Sequence, residues 1–162
     1  MPRLFEGGVS AEGKKFAIIV SQFNQMVTKR LLDGAVDCFQ RHGSDIEKDI
    51  DVFYCPGAFE IPEVAAKITE KGMYDAVVCL GAIVRGETPH FDYIAQECAR
   101  GIGSVARERN IPLLFGVLTT DTFDQAMERS GGSIGNKGWD AALSAITMAN
   151  LYTQLNTSSK RN

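Results

Sequence analysis

Long apolar runs are missing from this chain of 162 residues; the longest, such as 16–20 and 76–80, fall far short of a bilayer's thickness. The N-terminus has no apolar signal core either, so neither a membrane span nor a secretory leader is expected, and the reading is a cytoplasmic protein. Charge of one sign is equally scarce. The 20 acidic and 17 basic residues leave a net charge of −3 with no block of either sign, which removes the basic footprint of a nucleic-acid binder. Only four cysteines occur, Cys38, Cys55, Cys79 and Cys98. They lie far apart, none forms a CxxC pair, and three sit inside apolar patterns, so they read as reduced thiols. The two histidines, His42 at a helix end and His90, stand apart from them, and no metal site is expected. What remains, 44% hydrophobic and 23% charged residues, is the balance of one globular domain that buries roughly 70% of its unfolded surface.

Four short runs rich in Val, Ile, Phe and Leu, at 15–20, 50–55, 75–80 and 112–118, read as buried parallel strands. Between them apolar residues recur at helical spacing. Val27, Leu31, Ala35, Cys38 and Phe39 precede Gly43, while Ile61, Val64, Ala65 and Ile68 precede Gly72, with the glycines as C-caps. A long amphipathic helix carries Phe91, Ile94, Ala95, Cys98, Ile102, Val105 and Ala106 on one face. A short helix around Phe123, Ala126 and Met127 ends near Gly131, and a last one carries Trp139, Ala142, Leu143 and Ile146. This βαβαβαβα order predicts an α/β fold: a three-layer αβα sandwich of the flavodoxin-like class with a four-stranded parallel sheet. The expected organisation is an N-terminal arm at 1–13, which could add a strand to a neighbouring subunit, one domain at 14–153, and a polar, fraying tail at 154–162.

Ligands of open α/β sheets bind beyond the carboxyl ends of the strands, so the segment after each strand is the place to look. The third, Gly81-Ala82-Ile83-Val84-Arg85-Gly86-Glu87-Thr88-Pro89-His90, is the most specific. Thr88 suits an N-cap and Pro89 the first helical position, placing His90 in the first turn. Free amides at a helix start favour a phosphate, and an imidazole there can exchange protons with a substrate; a solvated early-turn histidine is the competing reading. Glu60, after Pro56-Gly57 and before Pro62, either complements a helix start or meets a substrate N–H. Phe23, flanked by Gln22 and Asn24, either stacks on a flat ring or packs in a core or interface. Arg129 and Lys137 flank a glycine-rich loop that could close over a phosphate, although Arg near a helix C-terminus is also plain dipole chemistry. Cys55 reads as a small buried filler rather than a nucleophile.

Taken together, Phe23-Asn24, Pro56-Gly57-Ala58-Phe59-Glu60-Ile61-Pro62, Gly81 through Phe91, Phe115-Gly116-Val117-Leu118-Thr119-Thr120 and Gly135-Asn136-Lys137-Gly138 resemble the lumazine synthase family in order and spacing over about 14–152. The resemblance implies a cofactor-free transferase that condenses 5-amino-6-(D-ribitylamino)uracil with 3,4-dihydroxy-2-butanone 4-phosphate to 6,7-dimethyl-8-ribityllumazine, phosphate and water. It implies His90 as the acid/base group and Phe23 stacked on the pyrimidine. Ala58 with Glu60 would hold the ribityl chain, Phe59 between them would also bind substrate, the backbone of Ala82, Ile83 and Val84 would face the heterocycle, and Phe115 would complete the ring pocket. Glu87, Thr88, Arg129 and Lys137 would bind the phosphate. The family builds its site between subunits of a homopentamer, so Phe115 and Arg129 would come from the adjoining chain. Some members close into sixty-subunit icosahedral shells, which the short 131–138 linker resembles, and riboflavin synthase is a possible partner. Cys55 departs from the pattern, standing where an aliphatic residue is commoner.

Three other readings share parts of this pattern. A response-regulator module would need acidic residues where Ser21-Gln22 and Gly81-Ala82 stand. A flavin- or riboflavin-binding flavodoxin-like protein would use the same flat ring, ribityl chain and phosphate. A structural shell protein would assemble without turnover.

Overall fold

Four short apolar runs become strands, and in the computed structural model, which describes residues 1–158, they pair side by side as one parallel sheet. The strands are β1 (Phe16–Ser21), β2 (Ile50–Cys55), β3 (Ala76–Val84) and β4 (Leu113–Thr120), in the order β2-β1-β3-β4. Every pairing in this sheet is parallel, with Phe16 beside both Ile50 and Ala76, and Val77 beside Leu113. Helices cover both faces: α1 (Gln25–Arg41) and α6 (Lys137–Thr157) on one, α3 (Ile61–Ile68) and α4 (His90–Arg109) on the other. This is the three-layer flavodoxin-like arrangement.

The period of two along a strand sorts the core into two halves. Phe16, Ile18, Val20, Val78 and Leu80 point toward Val27, Leu31 and Phe39 of α1 and Ala142, Ala145 and Ile146 of α6. Ala17, Ile19, Val77 and Cys79 point the other way, onto Ile61 and Ala65 of α3 and Cys98 and Ile102 of α4. Because both faces are covered, all of β1 is buried and β3 is buried up to Ile83, which is why these strands read as unbroken apolar runs. Each large side chain so enclosed contributes roughly 1.5–3 kcal/mol relative to exposure. The edge strands β2 and β4 are partly exposed.

Several boundaries differ from the sequence reading. β3 continues four residues past Leu80, since Gly81 to Val84 stay paired with Val117 to Thr120 of β4; small residues there had the look of a loop. β1 and β4 likewise run on to Ser21 and Thr120. Thr88 does not cap α4: Pro89 occupies the N-cap, no side chain bonds the free amides, and the Pro89 carbonyl accepts from Asp92 N at 3.1 Å. A four-residue helix, α2 (Ile46–Asp49), capped by Asp45, precedes β2. After α5 (Phe123–Glu128), the glycine-rich segment forms a small antiparallel hairpin, β5 (Ser130–Gly132) with β6 (Gly135–Asn136), leading straight into α6. Its turns use Gly131 at φ 104° and Gly135 at φ 76°.

The N-terminal arm lies against α6. The Asn150 amide donates to the carbonyls of Gly8 (2.8 Å) and Ser10 (2.9 Å), Gln154 donates to that of Glu6, and the fully buried Ala11 donates its N–H to His42 O at 2.8 Å. The arm therefore lies along its own chain from Glu6 onward, leaving Leu4 85% exposed. The helix also continues through 154–157, so the first part of the expected tail is ordered helix; 159–162 lie outside the described residues.

Candidate active site

The strand order places a topological switch between β1 and β3, the crevice where such sheets bind ligands. A cleft of about 720 Å³ opens there. Three segments build it. After β1 the chain is stitched to the turn beyond β2, with Gln22 N donating to Cys55 O (2.8 Å) and Phe23 N to Pro56 O (3.0 Å). That leaves the Phe23 ring 71% exposed at the cleft. After β2, Pro56 and Gly57 lead into a single 3₁₀ turn, Ala58–Glu60, closed by Glu60 N donating to Gly57 O at 3.2 Å. Pro62 then suits the start of α3, so Glu60 is held at a helix entrance on the cleft wall. Ala82, Ile83 and Val84 of β3 line the third side.

The chain then turns from β3 into α4. Arg85 anchors this turn: its N–H donates to Thr120 O (2.8 Å), its guanidinium pairs with Asp121 (2.9 Å) and Asp92 (3.6 Å), and it lies over the Phe91 ring at 4.4 Å. Pairs this exposed contribute little to stability singly, but together they fix one geometry for the entrance to α4. His90, exposed, is the first residue of that helix and lines the cleft with Thr88 and Phe91. The Cys55 thiol beneath the second segment donates to Gly57 O at 3.4 Å. Burial, then the nearby Glu60 carboxylate, pushes it up to about 11, so it stays protonated and acts as packing.

Nine of the residues singled out from the sequence thus line one cleft: Phe23, Ala58, Phe59, Glu60, Ala82, Ile83, Val84, Thr88 and His90. Glu87 is exposed beside it without lining it. Phe115, Arg129 and Lys137 are not part of it. Phe115 stands 38% exposed on the edge strand β4. The hairpin brings Arg129 and Lys137 to each other instead, Lys137 N donating to Arg129 O at 2.9 Å. The Arg129 side chain donates to Gln125 O (3.1 Å) and lies 3.5 Å from the Glu128 carboxylate. Tyr93, which the sequence reading passed over, also lines the cleft. Its signal was present: three residues after His90 is the same helical face. No group of three His, Cys, Asp or Glu side chains among the described residues is placed to hold a metal, and no helix among them is long and apolar enough to cross a membrane.

Comparison with known proteins gives a consistent result. The family described as 6,7-dimethyl-8-ribityllumazine synthase matches residues 13–153. The 6,7-dimethyl-8-ribityllumazine synthase of Desulfatibacillum aliphaticivorans is 53% identical over 154 residues, covering 95% of this chain and 99% of the relative. That of Desulfosudis oleivorans is 56% identical over 151 residues, covering 93% and 96%.

Proposed function

The chain belongs to the 6,7-dimethyl-8-ribityllumazine synthase family, and we propose that the cleft between β1 and β3 is where it condenses 5-amino-6-(D-ribitylamino)uracil with 3,4-dihydroxy-2-butanone 4-phosphate. The chain is accordingly a transferase of riboflavin biosynthesis. One observation carries the assignment of the site: an exposed aromatic ring, a carboxylate and an imidazole, from three separate segments, face one cleft at the switch point. Phe23 supplies a flat apolar face for the pyrimidine. Glu60, with Ala58 and Phe59, faces the ribityl chain, whose hydroxyls are donors to a carboxylate. The end of β3 at Ala82 to Val84 offers backbone groups to the heterocycle.

The reaction begins when the substrate amine attacks the ketone, giving an imine with loss of water. Phosphate is then eliminated, the second nitrogen closes the ring, and a final dehydration yields the lumazine. Each step moves a proton, and the role of accepting and returning it is assigned to His90, a reading supported by its position at the start of α4 on the cleft. The adjoining Glu87 and Thr88 frame the phosphate at the same helix start, where backbone amides are free. Arg129 and Lys137 serve the same phosphate from a neighbouring chain, and Phe115 closes the ring pocket from there. That arrangement rests on their absence from their own cleft and on the exposure of Phe115 along an open sheet edge. The working unit is then an assembly of neighbouring chains, and the family resemblance implies a homopentamer and, from the short 131–138 segment, closure into a sixty-subunit shell, with the free end of the N-terminal arm adding to a neighbour. The expected setting is the cytoplasm, with riboflavin synthase as a partner.

The test is to mix purified protein with both substrates and follow lumazine formation by absorbance and fluorescence against an enzyme-free control. The expected result is clear acceleration, reduced roughly 10²- to 10⁴-fold but not abolished in His90→Ala, because holding two reactants together supplies rate of its own. No acceleration from a folded, assembled protein would sink the assignment. An inert His90→Ala enzyme with intact assembly would sink the division between proton transfer and positioning.

A further inference from the structure

Asn24 sits at the N-cap of α1, where an asparagine side chain ordinarily accepts from an amide of the first turn. Here it makes no such bond. Its backbone lies at φ 60°, ψ 47°, the left-handed region that residues with a Cβ avoid and that asparagine tolerates best. Its Nδ2 instead donates to the carbonyl of Ala82, 58 positions away in sequence, at 2.9 Å. The helix starts without help from the side chain, since Val27 N and Thr28 N both donate to Asn24 O.

The location of this contact gives it meaning. Pairing between β1 and β3 stops at Val20 and Leu80, while β3 continues beside β4 to Val84. Beyond Leu80, β3 therefore has no strand partner on the β1 side, and the crevice opens there. Asn24 spans that opening and satisfies the part-buried Ala82 oxygen. On either side of the bond stand two cleft residues, Phe23 directly before Asn24 and Ala82 itself, whereas Asn24 does not line the cleft.

We propose that Asn24 is a positioning residue for the ribityl pyrimidine, fixing the aromatic platform of Phe23 against the floor formed by the end of β3. The proposal rests on the assignment of that cleft to the condensation above. The left-handed turn aims Phe23 outward, and the amide bond sets its distance from Ala82. Asn24 acts only on the substrate that stacks on Phe23, leaving the phosphate-binding helix start untouched.

Two variants of the full, assembled protein separate this role from a purely structural one. Asn24→Gly keeps the left-handed turn available and removes the amide; Asn24→Asp keeps the size and sets a carboxylate oxygen against the Ala82 oxygen. Both are expected to raise KM for the ribityl pyrimidine about tenfold, the effect of one lost hydrogen bond of ordinary strength, while KM for the keto phosphate holds. The dissociation constant of the product lumazine, measured by equilibrium dialysis without turnover, should rise in parallel. A structural role would instead lower the melting temperature or the active fraction with both KM values unchanged. Unchanged KM and dissociation constants in folded Asn24→Gly, or equal increases for both substrates, would overturn the proposal. Because dialysis needs no catalysis, a wild-type protein that binds the product but fails to accelerate the reaction would count against the function while still deciding the role of Asn24.

Discussion

Gly138→Ala should destabilise the protein far more than its small change in volume suggests. Gly138 is buried in the first turn of α6, and a Cβ built there falls 2.0 Å from the Leu31 carbonyl oxygen, 2.7 Å from its carbon and 2.9 Å from its Cα. All three atoms belong to the backbone of α1, so no rotamer change relieves them. One helix must move by at least about 1 Å, and α1 and α6 together cover one face of the sheet, so the shift opens the packing of Leu31, Ala142 and Ile146. Overpacking of this kind costs ~1–3 kcal/mol, and a clash with rigid backbone belongs near the top of that range. The gain in helix propensity from Gly to Ala returns up to ~1 kcal/mol, leaving a loss of about 2 kcal/mol. For a chain of this size that corresponds to a fall in Tm of about 4–8 °C. Calorimetry should be run at fixed protomer concentration, because association itself shifts Tm. The control is Gly8→Ala, whose added Cβ meets nothing within 4 Å and should leave stability within about 0.5 kcal/mol. A Gly138→Ala protein that melts with the wild type would refute the argument and return this glycine to the loop chemistry of its segment.

Three further expectations can be checked with the same protein. Arg129→Ala should raise KM for the keto phosphate by roughly 10- to 100-fold, the strength of a hydrogen bond to a charged group, while KM for the ribityl pyrimidine holds; steady-state kinetics with each substrate varied decides it. Burial pushes the thiols of Cys38 and Cys55 up to about 11, so a disulfide reagent at pH 8 should label them only as the protein unfolds. The folded state holds these protons more tightly than the unfolded chain, so the associated stability is constant below about pH 9 and is lost as pH climbs through about 11; urea midpoints across that range should fall.

The fold was legible wherever burial is two-sided. β1 and β3 are enclosed by helices, so Phe16 to Val20 and Ala76 to Leu80 announce themselves as apolar runs. The helix faces followed from spacing, and Val27, Leu31, Ala35, Cys38 and Phe39 are all buried as expected. Legibility failed where pairing rather than hydrophobicity makes the element. Gly81-Ala82 continues β3 because β4 runs beside it, and the hairpin at Ser130–Gly132 and Gly135–Asn136 is held by glycine turns and by Asn136, whose side chain bonds Gly138 N, Trp139 N and Arg30 O. Thr88 resembled a cap because composition alone cannot show that the following proline takes that place. The gathering of Phe23, Glu60 and His90 could be anticipated, since each follows a strand whose carboxyl end is on the same edge. The role of Asn24 could not, because its partner lies 58 residues away and the bond is not the one its position suggests.

Phe115, Arg129 and Lys137 are residues the family resemblance assigns to the site, yet they stand outside the cleft of their own chain, and this yields a test that neither kinetics nor sizing alone can supply. If each site joins the cleft of one subunit to Arg129 of the next, two crippled variants can repair each other. In a ring assembled at random from equal amounts of His90→Ala and Arg129→Ala chains, a site is intact when its cleft comes from an Arg129→Ala chain and its arginine from a His90→Ala chain. That happens at about one site in four, so co-expressed chains, assayed with keto phosphate no higher than the wild-type KM so that Arg129→Ala is impaired, should recover roughly a quarter of wild-type turnover, well above either variant alone. If Arg129 acted within its own chain, no site in the mixture would contain both residues, and activity would stay at the mean of the two variants. If Arg129 touched no substrate at all, Arg129→Ala alone would keep its affinity for the keto phosphate, and the mixture would run at about half of wild type without exceeding the mean of the two variants. Recovery in the mixture therefore requires both a catalytic imidazole in the cleft and an arginine supplied from outside it, and it would show that one chain of this fold is only part of an enzyme.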